Sequence, residues 1–455
     1  MLITVLLLAL TLLGLALLLW QAVVAARFPL HRRVTDTSFA PAITLLKPLK
    51  GCDEFTADCL RSWFEQDYRG PVQILFGVAN ENDPVCLVVR DLLKKFPDAD
   101  AELVITHEAA GPNAKVGKLV ELMRRAKHQH LAVSDADVRV TKDFFTSAVA
   151  PLRDPATGLV NCFYRLANPV TPAMRWEAVA VNADFWSQVL QSNAIKPQDF
   201  ALGAVMLTRR ELLVKIGGFE SLLDYLADDY QLGHKIAATG ARIALSPVVV
   251  ECWDRPMNFR AVWNHQLRWA RTIRVSQPWP YFFSLVNHVT LWAALLALFG
   301  DLGGFALVPD SLLYSVAFLP KQQAALGRFQ VPWVLVVLTV VLLTRALVVN
   351  LLQQRLTRQK RGALQEWWLV LAKDFLQSAL WAVSFLGNTV TWRGKKYHLD
   401  GGGRLIPQDG VLGGPAPAGF RGENIPNSKN QIPNKFQPSN SNAQRTSRRR
   451  LKIGV

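Results

Sequence analysis

Two aspartates, Asp135 and Asp137, directly follow the short apolar run HLAVS at residues 130–134. The run has the length of a buried strand, so the two carboxylates are predicted at its carboxyl end. Carboxylate oxygens suit hard cations such as Mg²⁺ or Mn²⁺, which in turn can bind a diphosphate. The same D-x-D spacing recurs at Asp98 and Asp100, but no strand-like run precedes that copy. Context therefore makes the first pair the candidate metal site and predicts a solvated loop for the second.

A second acidic pair, Asp228 and Asp229, stands at the start of the helical stretch DDYQLGHKIAATG. An aspartate at a helix start commonly caps the helix, and we expect one of the two to do so. Two adjacent acids in so apolar a setting also suit a general base. Both are therefore catalytic candidates, with one carboxylate removing the proton of an attacking hydroxyl.

A third group of candidates, His265, Arg268 and Trp269, precedes a long apolar run. One interpretation is an amphipathic interfacial helix with a basic face, which is common just before a membrane span. The other is functional: a guanidinium that binds a leaving phosphate, with a flat indole that closes the pocket. The spacing alone favours the interfacial helix.

The amino-terminal end of the chain is apolar enough to enter a membrane. Apolar residues make up 50% of the 455 residues and charged residues only 19%, which is too apolar for a wholly soluble protein. Residues 2–26 form one run that is long enough to cross a bilayer as a helix. A signal peptide is the alternative, but the run lacks a basic start and is too long for a signal core. We predict an anchor over residues 1–27, and the basic residues Arg27, Arg32 and Arg33 place the next domain in the cytoplasm.

Residues 281–390 are predicted to form a C-terminal membrane region with about three apolar segments. These are residues 281–300, 333–352 and 366–387. The first two have the length of spans. The third is interrupted by Lys373 and Asp374, so it is either re-entrant or a span with these charges paired inside the bundle. A basic cluster that indicates a cytoplasmic loop precedes it: Arg355, Arg358, Lys360 and Arg361. The apolar residues 303–319 leave the number of spans open.

Between residues 40 and 278, short apolar runs alternate with helical stretches. The strand-like runs are residues 42–46, 72–78, 102–106, 130–134 and 158–163. The helical stretches are Asp53–Gln66, Asp83–Phe96 and Lys115–Lys127. This alternation predicts an α/β domain with a parallel sheet and right-handed crossovers. Ligands in such a domain bind at the carboxyl ends of the strands.

Charge and cysteine content exclude other classes of protein. The net charge is +16, and much of the excess lies in the Gly-, Pro- and Asn-rich tail, residues 401–455, which we predict to be disordered. Beside membrane spans these basic residues suit anionic lipid or solvent, so no nucleic acid is expected as a partner. The five cysteines form no C-x-x-C pair and lie near no histidine cluster, so neither disulfides nor zinc are expected.

Taken in order, the strand-end D-x-D, the acidic pair at a helix start and the Arg-Trp pair before a membrane span resemble inverting, lipid-linked glycosyltransferases of the GT-A type. More narrowly, the chain resembles the ceramide glucosyltransferase family, including bacterial relatives that act on hopanoid lipids. The matching segments are LLKPLKGCD (45–53), GPNAKVGKL (111–119), VSDADVRV (133–140), GGFESLLDYLADDYQLGHKIA (217–237), the Arg268-Trp269 region and WRGKKYHLDGGG (392–403). The resemblance covers most of residues 1–403 and implies a Rossmann-like GT-A domain between membrane helices.

The resemblance also implies roles for the candidate residues. Asp135 and Asp137 would face the nucleotide diphosphate of the donor and its Mg²⁺ or Mn²⁺. Lys115 would lie near the donor phosphates. Asp229, with Asp228 beside it, would be the catalytic base.

Two positions depart from the pattern of the family. Arg268 and Trp269 match it and would serve the diphosphate and the acceptor, but His265 stands where Gln or Arg is usual. Where an aspartate usually holds uracil, this chain has Asn80, with Asp83 three residues on. An asparagine can still accept a hydrogen bond from a uracil N–H, so both residues are candidates for the nucleotide site.

The reaction implied is a single displacement at the anomeric carbon of a UDP-sugar by a lipid hydroxyl, with inversion. A hexose or an N-acetylhexosamine fits as the sugar, and ceramide or a hopanoid fits as the acceptor. The expected partners are the UDP-sugar, the lipid and the bilayer, with the catalytic domain facing the cytoplasm. One alternative is a processive polysaccharide synthase, although about four spans are few for a secretion channel. The other is a membrane receptor that binds a nucleotide without turnover.

Overall fold

The fold comes from a computed structural model, which describes residues 1–106, 111–300, 332–359, 367–392 and 394–408. The chain divides into a compact unit, Met1–Asp409, and the segment Gly410–Val455. Some sequence predictions lie outside the described residues. They concern the apolar stretch 303–319, the basic residues Lys360 and Arg361, and the predicted tail from residue 409 onward.

The elements are numbered here in chain order. The helices are α1 (Leu2–Arg27), α2 (Thr56–Phe64), α3 (Val85–Lys95), α4 (Ala114–Arg125), α5 (Phe144–Val149), α6 (Pro172–Val179), α7 (Trp186–Ile195), α8 (Arg210–Lys215), α9 (Asp228–Ala238), α10 (Phe259–Ser276), α11 (Pro278–Phe283), α12 (Val289–Phe299), α13 (Trp333–Thr357) and α14 (Trp367–Ser384). The strands are β1 (Ile43–Pro48), β2 (Val72–Val78), β3 (Asp100–Ile105), β4 (His130–Ser134), β5 (Val138–Arg139), β6 (Thr157–Leu166), β7 (Val205–Arg209), β8 (Arg242–Cys252), β9 (Thr389–Trp392), β10 (Lys395–Leu399) and β11 (Leu405–Pro407). A π-helical turn, Ala180–Phe185, joins α6 to α7.

Strands β1 to β8 form one sheet in the order β3-β2-β1-β4-β7-β6-β8-β5. The five strands predicted from the sequence, β1, β2, β3, β4 and β6, are all present and all point the same way. The three predicted helices are present as α2, α3 and α4. The apolar face of each helix packs on the sheet. The apolar residues therefore recur at helical spacing, and the sequence pattern predicted the helices correctly.

The predicted parallel arrangement holds for these five strands, but the sheet also contains two antiparallel strands that the sequence did not indicate. Strand β7 lies antiparallel between β4 and β6, and β5 pairs antiparallel with β8. Strand β5 has only two residues, too few for a periodic pattern, and β7 runs directly into α8 without the turn residues that bound the predicted strands. The sheet is therefore mixed, with its parallel strands on both sides of β7.

The membrane helices and the catalytic sheet share one apolar core. Two described helices, α1 and α13, are long and apolar enough to cross a membrane. The run at 281–300, predicted as a span, forms two helical segments, Pro278–Asn287 and Val289–Phe299, with a bend of 54° between them, which fits a broken span or a re-entrant loop. A buried cluster joins these helices to the sheet and to α6 and α7, with Leu18 of α1, Phe163 of β6, Trp186 of α7 and Val349 of α13 among its members. The membrane region is therefore packed against the catalytic domain.

The charges in the third C-terminal run are paired inside the helical bundle. Lys373 and Asp374 lie in α14, and Lys373 Nζ is 2.5 Å from Asp374 Oδ1. Arg345, at the middle of α13, binds both oxygens of Asp374, at 3.0 and 2.9 Å. The pairing of these charges is as expected for one of the two alternatives, but α14 is not among the described helices that are long and apolar enough to cross a membrane. Removing one partner of such a buried pair typically costs about 3–5 kcal/mol, because the other charge is left unpaired in apolar surroundings.

After α14 the chain returns to the catalytic domain as a three-stranded sheet in the order β11-β10-β9. Leu405 N donates to Asp224 O at 2.7 Å, and Leu226 packs among Val390, Tyr397 and Leu399. The predicted start of the disordered tail at residue 401 is therefore too early. Residues 401–408 belong to this sheet, because β11 pairs with β10 although its short, Gly-flanked sequence has no apolar periodicity.

Candidate active site

Asp135 and Asp137 stand where the sequence predicts them, directly after β4 at the carboxyl ends of the parallel strands. The backbone holds both. Asp135 N–H donates to Ala204 O at 3.2 Å, just before β7, and Asp137 O accepts from Trp253 N–H at 3.1 Å, just after β8. Strands that are distant in sequence thus fix the D-x-D turn.

Lys115 joins the two acidic pairs. Its Nζ is 2.8 Å from Asp135 Oδ1 and 3.1 Å from Asp228 Oδ2, and its side chain is only 12% exposed. Burial opposes the charge of this lysine, but Asp135 and Asp228 outweigh burial and hold the pKa of Lys115 well above its usual range. The site therefore contains a permanent cation between two carboxylates that are almost a hundred residues apart.

The position of Lys115 follows from the cap of α4. Asn113 Oδ1 accepts from the N–H groups of Lys115 and Val116, at 3.0 and 3.2 Å, which is a regular N-cap. Its Nδ2 donates to Tyr225 O at 2.7 Å, on the loop that leads to Asp228. One asparagine thus starts the helix that carries the lysine and fastens the loop that carries the second acidic pair.

Asp228 and Asp229 are the first two residues of α9, and the N-cap position is Ala227. The expectation that one of the two caps the helix was wrong, since no side chain caps α9 there. Instead Asp228 is buried against Lys115, and Asp229 Oδ1 accepts from Tyr230 N–H at 2.8 Å. Burial and the neighbouring Asp228 raise the pKa of Asp229 to about 6. Asp228 is thus paired with a cation, while Asp229 has the pKa of a usable base.

Two carboxylates of the D-x-D turn lie close enough to repel each other. Burial, and then the charge of Asp135, raise the pKa of Asp137 to about 7. A divalent cation bound between them would relieve this repulsion, so the residues present fit a hard cation. Among the described residues no three His, Cys, Asp or Glu side chains come close enough to hold a metal by themselves. Two carboxylates leave coordination positions for the oxygens of a bound diphosphate.

The Arg-Trp pair lies on α10, and its aromatic member faces the catalytic sheet. The Trp269 ring is 6.2 Å from Phe185 and 4.8 Å from His265, and Phe185 is 5.6 Å from Tyr164 on β6. Arg268 is half-buried on the same helix. We call Tyr164, Phe185 and Trp269 the aromatic wall.

His265 is held by a buried acid on α6. Its Nδ1 lies 2.8 Å from Glu177 Oε1, close enough for an ionic contact although not aligned as a hydrogen bond. The adjacent Gln266 Nε2 donates to the same oxygen at 2.9 Å. Glu177 thus attaches α10 to α6.

The two nucleotide-site candidates after β2 have different surroundings. Asn80 is exposed, and its Oδ1 accepts from Asn82 N–H at 2.9 Å. Both oxygens of Asp83 accept from Gly51 N–H, at 3.0 and 2.9 Å, and one also accepts from Val85 N–H at 3.1 Å. Asp83 therefore fastens the loop after β1 to the start of α3, while Asn80 is the more accessible of the two.

Three further residues lie close to the site although their sequence context did not indicate it: Lys47, Tyr164 and Glu177. Lys47 is fully buried in β1, and its Nζ donates to Asp135 O at 2.5 Å and to Ser134 Oγ at 3.3 Å. Burial lowers its pKa to about 8, with Asp137 opposing the shift. Lys47 lies just after the predicted strand at residues 42–46 and is the fifth of the six residues of β1, so nothing in the sequence separated it from an ordinary exposed lysine at a strand end. No signal marked Tyr164 or Glu177 either, because a tyrosine in a strand and a glutamate in a helix are common.

A mixed sheet with a D-x-D turn after its fourth strand, a second acidic pair at a later helix and flanking membrane helices defines a membrane glycosyltransferase of the GT-A type. The sequence model of glycosyl transferase family 21 matches residues 6–325 and 305–405. The match covers well over half of the chain, and the chain belongs to this family.

Curated relatives agree with this assignment. Ceramide glucosyltransferase 3 of Caenorhabditis elegans is 22% identical over 402 residues, which are 84% of this chain and 78% of that protein. The ceramide glucosyltransferase of Candida albicans is 31% identical over 128 residues, 26% of this chain and 24% of that protein. Among solved structures, a mannosyltransferase from Pyrobaculum calidifontis in complex with GDP-Man and Mn²⁺ is 21% identical, with a TM-score of 0.46, over 84% of this chain and 99% of its own.

Gly203 leaves the space that the Asp229 carboxylate occupies. A Cβ at Gly203 would lie 2.5 Å from Asp229 Oδ2 and 3.1 Å from its Cγ. We expect Gly203→Ala to displace the carboxylate and to lower kcat about 100-fold, the effect of a misplacement of about 1 Å. Initial rates of sugar transfer measure this, alongside the melting temperature. Gly401→Ala is the matched control, because nothing lies within 4 Å of a Cβ there. An unchanged kcat in Gly203→Ala would contradict the placement of Asp229.

Proposed function

We propose that this enzyme transfers a hexose or an N-acetylhexosamine from a UDP-sugar to a hydroxyl of a membrane lipid, ceramide or a hopanoid, with inversion. The observation that carries the proposal is the Asp229 carboxylate, with its pKa raised to about 6, beside the carboxylates of Asp135 and Asp228, which Lys115 bridges. The ceramide glucosyltransferases that this chain resembles are named for a glucosyl group and a ceramide acceptor, which supports a hexose and a membrane lipid.

The donor is proposed to lie at the carboxyl ends of β1, β2 and β4. Lys115 and Arg268 are the cations for the diphosphate, and the exposed amide of Asn80 can accept from a uracil N–H. Asp83 is assigned a supporting role in this pocket, because its oxygens already accept from the backbone of Gly51 and Val85.

Asp135 and Asp137 are the proposed ligands of Mg²⁺ or Mn²⁺. A divalent cation bound there would neutralise charge on the diphosphate as the sugar departs. Lys115 would also neutralise charge on the diphosphate, since its amine lies beside Asp135 and stays protonated in the physiological pH range. Preorganised charges of this kind are commonly the largest catalytic contribution of a site.

The chemical step follows from the carboxylate of Asp229. The acceptor hydroxyl donates its proton to Asp229 as its oxygen forms a bond to the anomeric carbon. The bond from that carbon to the β-phosphate oxygen breaks on the opposite face, and UDP leaves with the electron pair. One displacement inverts the configuration. Asp228 remains paired with Lys115 and is not the proton acceptor.

The acceptor is proposed to enter along the aromatic wall. The wall lies next to α10 and the connection to the membrane helices, and its apolar faces suit the body of a lipid whose hydroxyl lies at the membrane interface. The exposed Trp279, Phe282 and Phe283 on α11, immediately after α10, fit an interfacial position.

The purified, detergent-solubilised protein should release UDP from a UDP-sugar only when a lipid acceptor and Mg²⁺ or Mn²⁺ are present. A panel of UDP-sugars, with ceramide and bacteriohopanetetrol as acceptors, identifies both substrates. We expect Asp229→Asn to lower kcat by about 1,000-fold while the nucleotide still binds, because only the base is lost.

The outcomes of this assay separate the candidate functions. Polymeric product with no lipid acceptor would favour a polysaccharide synthase. UDP binding without turnover of any pair would favour a receptor and contradict the proposal. We expect Asp135→Asn to abolish the acceptor-dependent release of UDP, because a proposed metal ligand is lost. Asp98→Asn is its matched control, since it removes a carboxylate of the same spacing motif far from the site.

The pH profile of kcat/KM should show the titration of Asp229. The base must be deprotonated, so activity is half-maximal near pH 6, approaches its full value about one pH unit higher, and falls toward about tenfold per pH unit well below pH 6. Asp228→Asn removes one of the causes of the raised pKa and should shift this acid limb to lower pH. A limb that stays in place in Asp228→Asn would show that another group is the base.

The catalytic domain is proposed to face the cytoplasm. Arg355 near the end of α13 donates to Ala25 O at 3.0 Å and to Phe28 O at 2.7 Å, so the basic ends of α1 and α13 lie together. Positive charge at span ends is typical of the cytoplasmic side.

Cys52 tests this orientation, because it is exposed whereas the other four cysteines are buried. A membrane-impermeant maleimide should label the protein only after cells are permeabilised, and Cys52→Ser should abolish the labelling. Labelling of Cys52 in intact cells would place the domain outside.

A further inference from the structure

Helices α6 and α7 and the π-helical turn between them, residues 172–195, lie between the catalytic sheet and the membrane helices. We call them the connecting segment. Its α7 is fastened to α1, since Gln191 Nε2 donates to Leu17 O at 2.9 Å and Gln21 Nε2 donates to Ser187 Oγ at 2.7 Å. The segment is therefore held from the membrane side.

The strongest of these attachments is a buried ionic cluster. Asp184, in the π-helical turn, accepts two hydrogen bonds from the Arg345 guanidinium, at 3.0 and 2.7 Å, and one from Lys373. Arg345 and Lys373 also bind Asp374. Two acids and two bases make the cluster neutral, as apolar surroundings require. Asp184 brings the connecting segment into it.

The next residue in the same turn points to the active site. Phe185 contacts Tyr164 on β6 and Trp269 on α10, with ring centroids 5.6 and 6.2 Å apart. In the π-helical turn, Asp184 thus binds the membrane helices, and the next residue, Phe185, belongs to the aromatic wall. Such turns are rare and are frequent at functional sites.

We propose that Asp184 is a positioning residue for the lipid acceptor: by anchoring the π-helical turn to Arg345 and Lys373, it holds Phe185 against Trp269 and sets the shape of the acceptor pocket. The inference rests on the proposed function, which places the acceptor at the aromatic wall. Asp184 itself touches no substrate. Its effect passes through the backbone of one residue, so it should act on the acceptor and not on the donor.

The physical reason is the cost of an unpaired buried charge. Without the Asp184 carboxylate, Arg345 and Lys373 would share one acid, and the surplus cation would have to move toward water. The π-helical turn would lose its anchor, and Phe185 would be free to leave Trp269. A longer carboxylate at the same position would keep the charge but displace the turn.

The test compares KM for the acceptor with KM for the UDP-sugar in the full-length protein. We expect Asp184→Asn to raise KM for the acceptor about tenfold with little change in KM for the donor. Asp184→Glu keeps the cluster neutral and should fold even where Asp184→Asn does not; it should raise KM for the acceptor as well. Melting temperatures show which variants are folded.

Two further variants show whether the effect passes through the cluster and through Phe185. Asp184→Asn combined with Lys373→Met removes an anion and a cation together, and should recover most of the lost affinity for the acceptor. Phe185→Ala should raise KM for the acceptor by itself. In that background Asp184→Asn should add little, because the residue through which it acts is already gone.

Gln191→Ala is the matched control, since it removes another attachment of the connecting segment to a membrane helix. It should lower the melting temperature without changing KM for the acceptor. Equal increases in both KM values, or effects of Asp184→Asn and Phe185→Ala that simply add, would overturn the positioning role. Absence of turnover in the wild-type protein would instead overturn the proposed function, and this inference with it.

Discussion

The rest of the site depends on the ion pairs that Lys115 forms with Asp135 and Asp228. Asp135, Asp137, Asp228 and Asp229 come from two parts of the chain, and four carboxylates in one partly buried site repel one another. A lysine whose Nζ lies within about 3 Å of an oxygen from each pair compensates that repulsion. Lys115 keeps its positive charge in this site, because the same carboxylates keep its amine protonated. The two acidic pairs can therefore lie in one site.

The same lysine separates the roles of Asp228 and Asp229. Asp228 is paired with Lys115, whereas Asp229 is bonded to a single backbone N–H and has a pKa near 6. Two adjacent residues of one type thus acquire different chemistry from their surroundings, as general-base sites require. The loop that precedes them is fixed twice, by Asn113 and by the small C-terminal sheet.

The catalytic and membrane parts of this enzyme are one packed structure. A single apolar cluster contains residues of α1, β6, α7 and α13, and the Asp184 cluster adds charged contacts at the same junction. Glu177 attaches α10 to α6 only two helical turns before Asp184. Helix α10, which carries the Arg-Trp pair, is thereby held in a fixed position relative to the membrane helices. This suits an enzyme whose acceptor hydroxyl lies at the bilayer surface.

The sequence by itself determined the elements with strong local patterns and the residues that carry chemistry. Five strands, three helices and the long apolar helices follow from periodicity and length, and the D-x-D turn follows from the strand before it. The pairing of Lys373 with Asp374 was one of two expected outcomes, because charges in an apolar run must find partners. The family resemblance was likewise carried by short motifs in a fixed order, and motifs are local.

Only the tertiary structure decided which of these residues meet. The antiparallel insertion of β7 between β4 and β6 sets the Ala204 carbonyl against Asp135, and nothing in the five residues of β7 specifies that neighbour. The contacts of Lys115 with Asp228, of Glu177 with His265 and of Asp184 with Arg345 each join positions 88 to 161 residues apart. Such contacts leave no periodic trace, because they depend on how elements pack and on the neutralisation of buried charge. Chemistry is therefore readable from residue types and spacing, whereas the roles of Lys47, Glu177 and Asp184 required the fold.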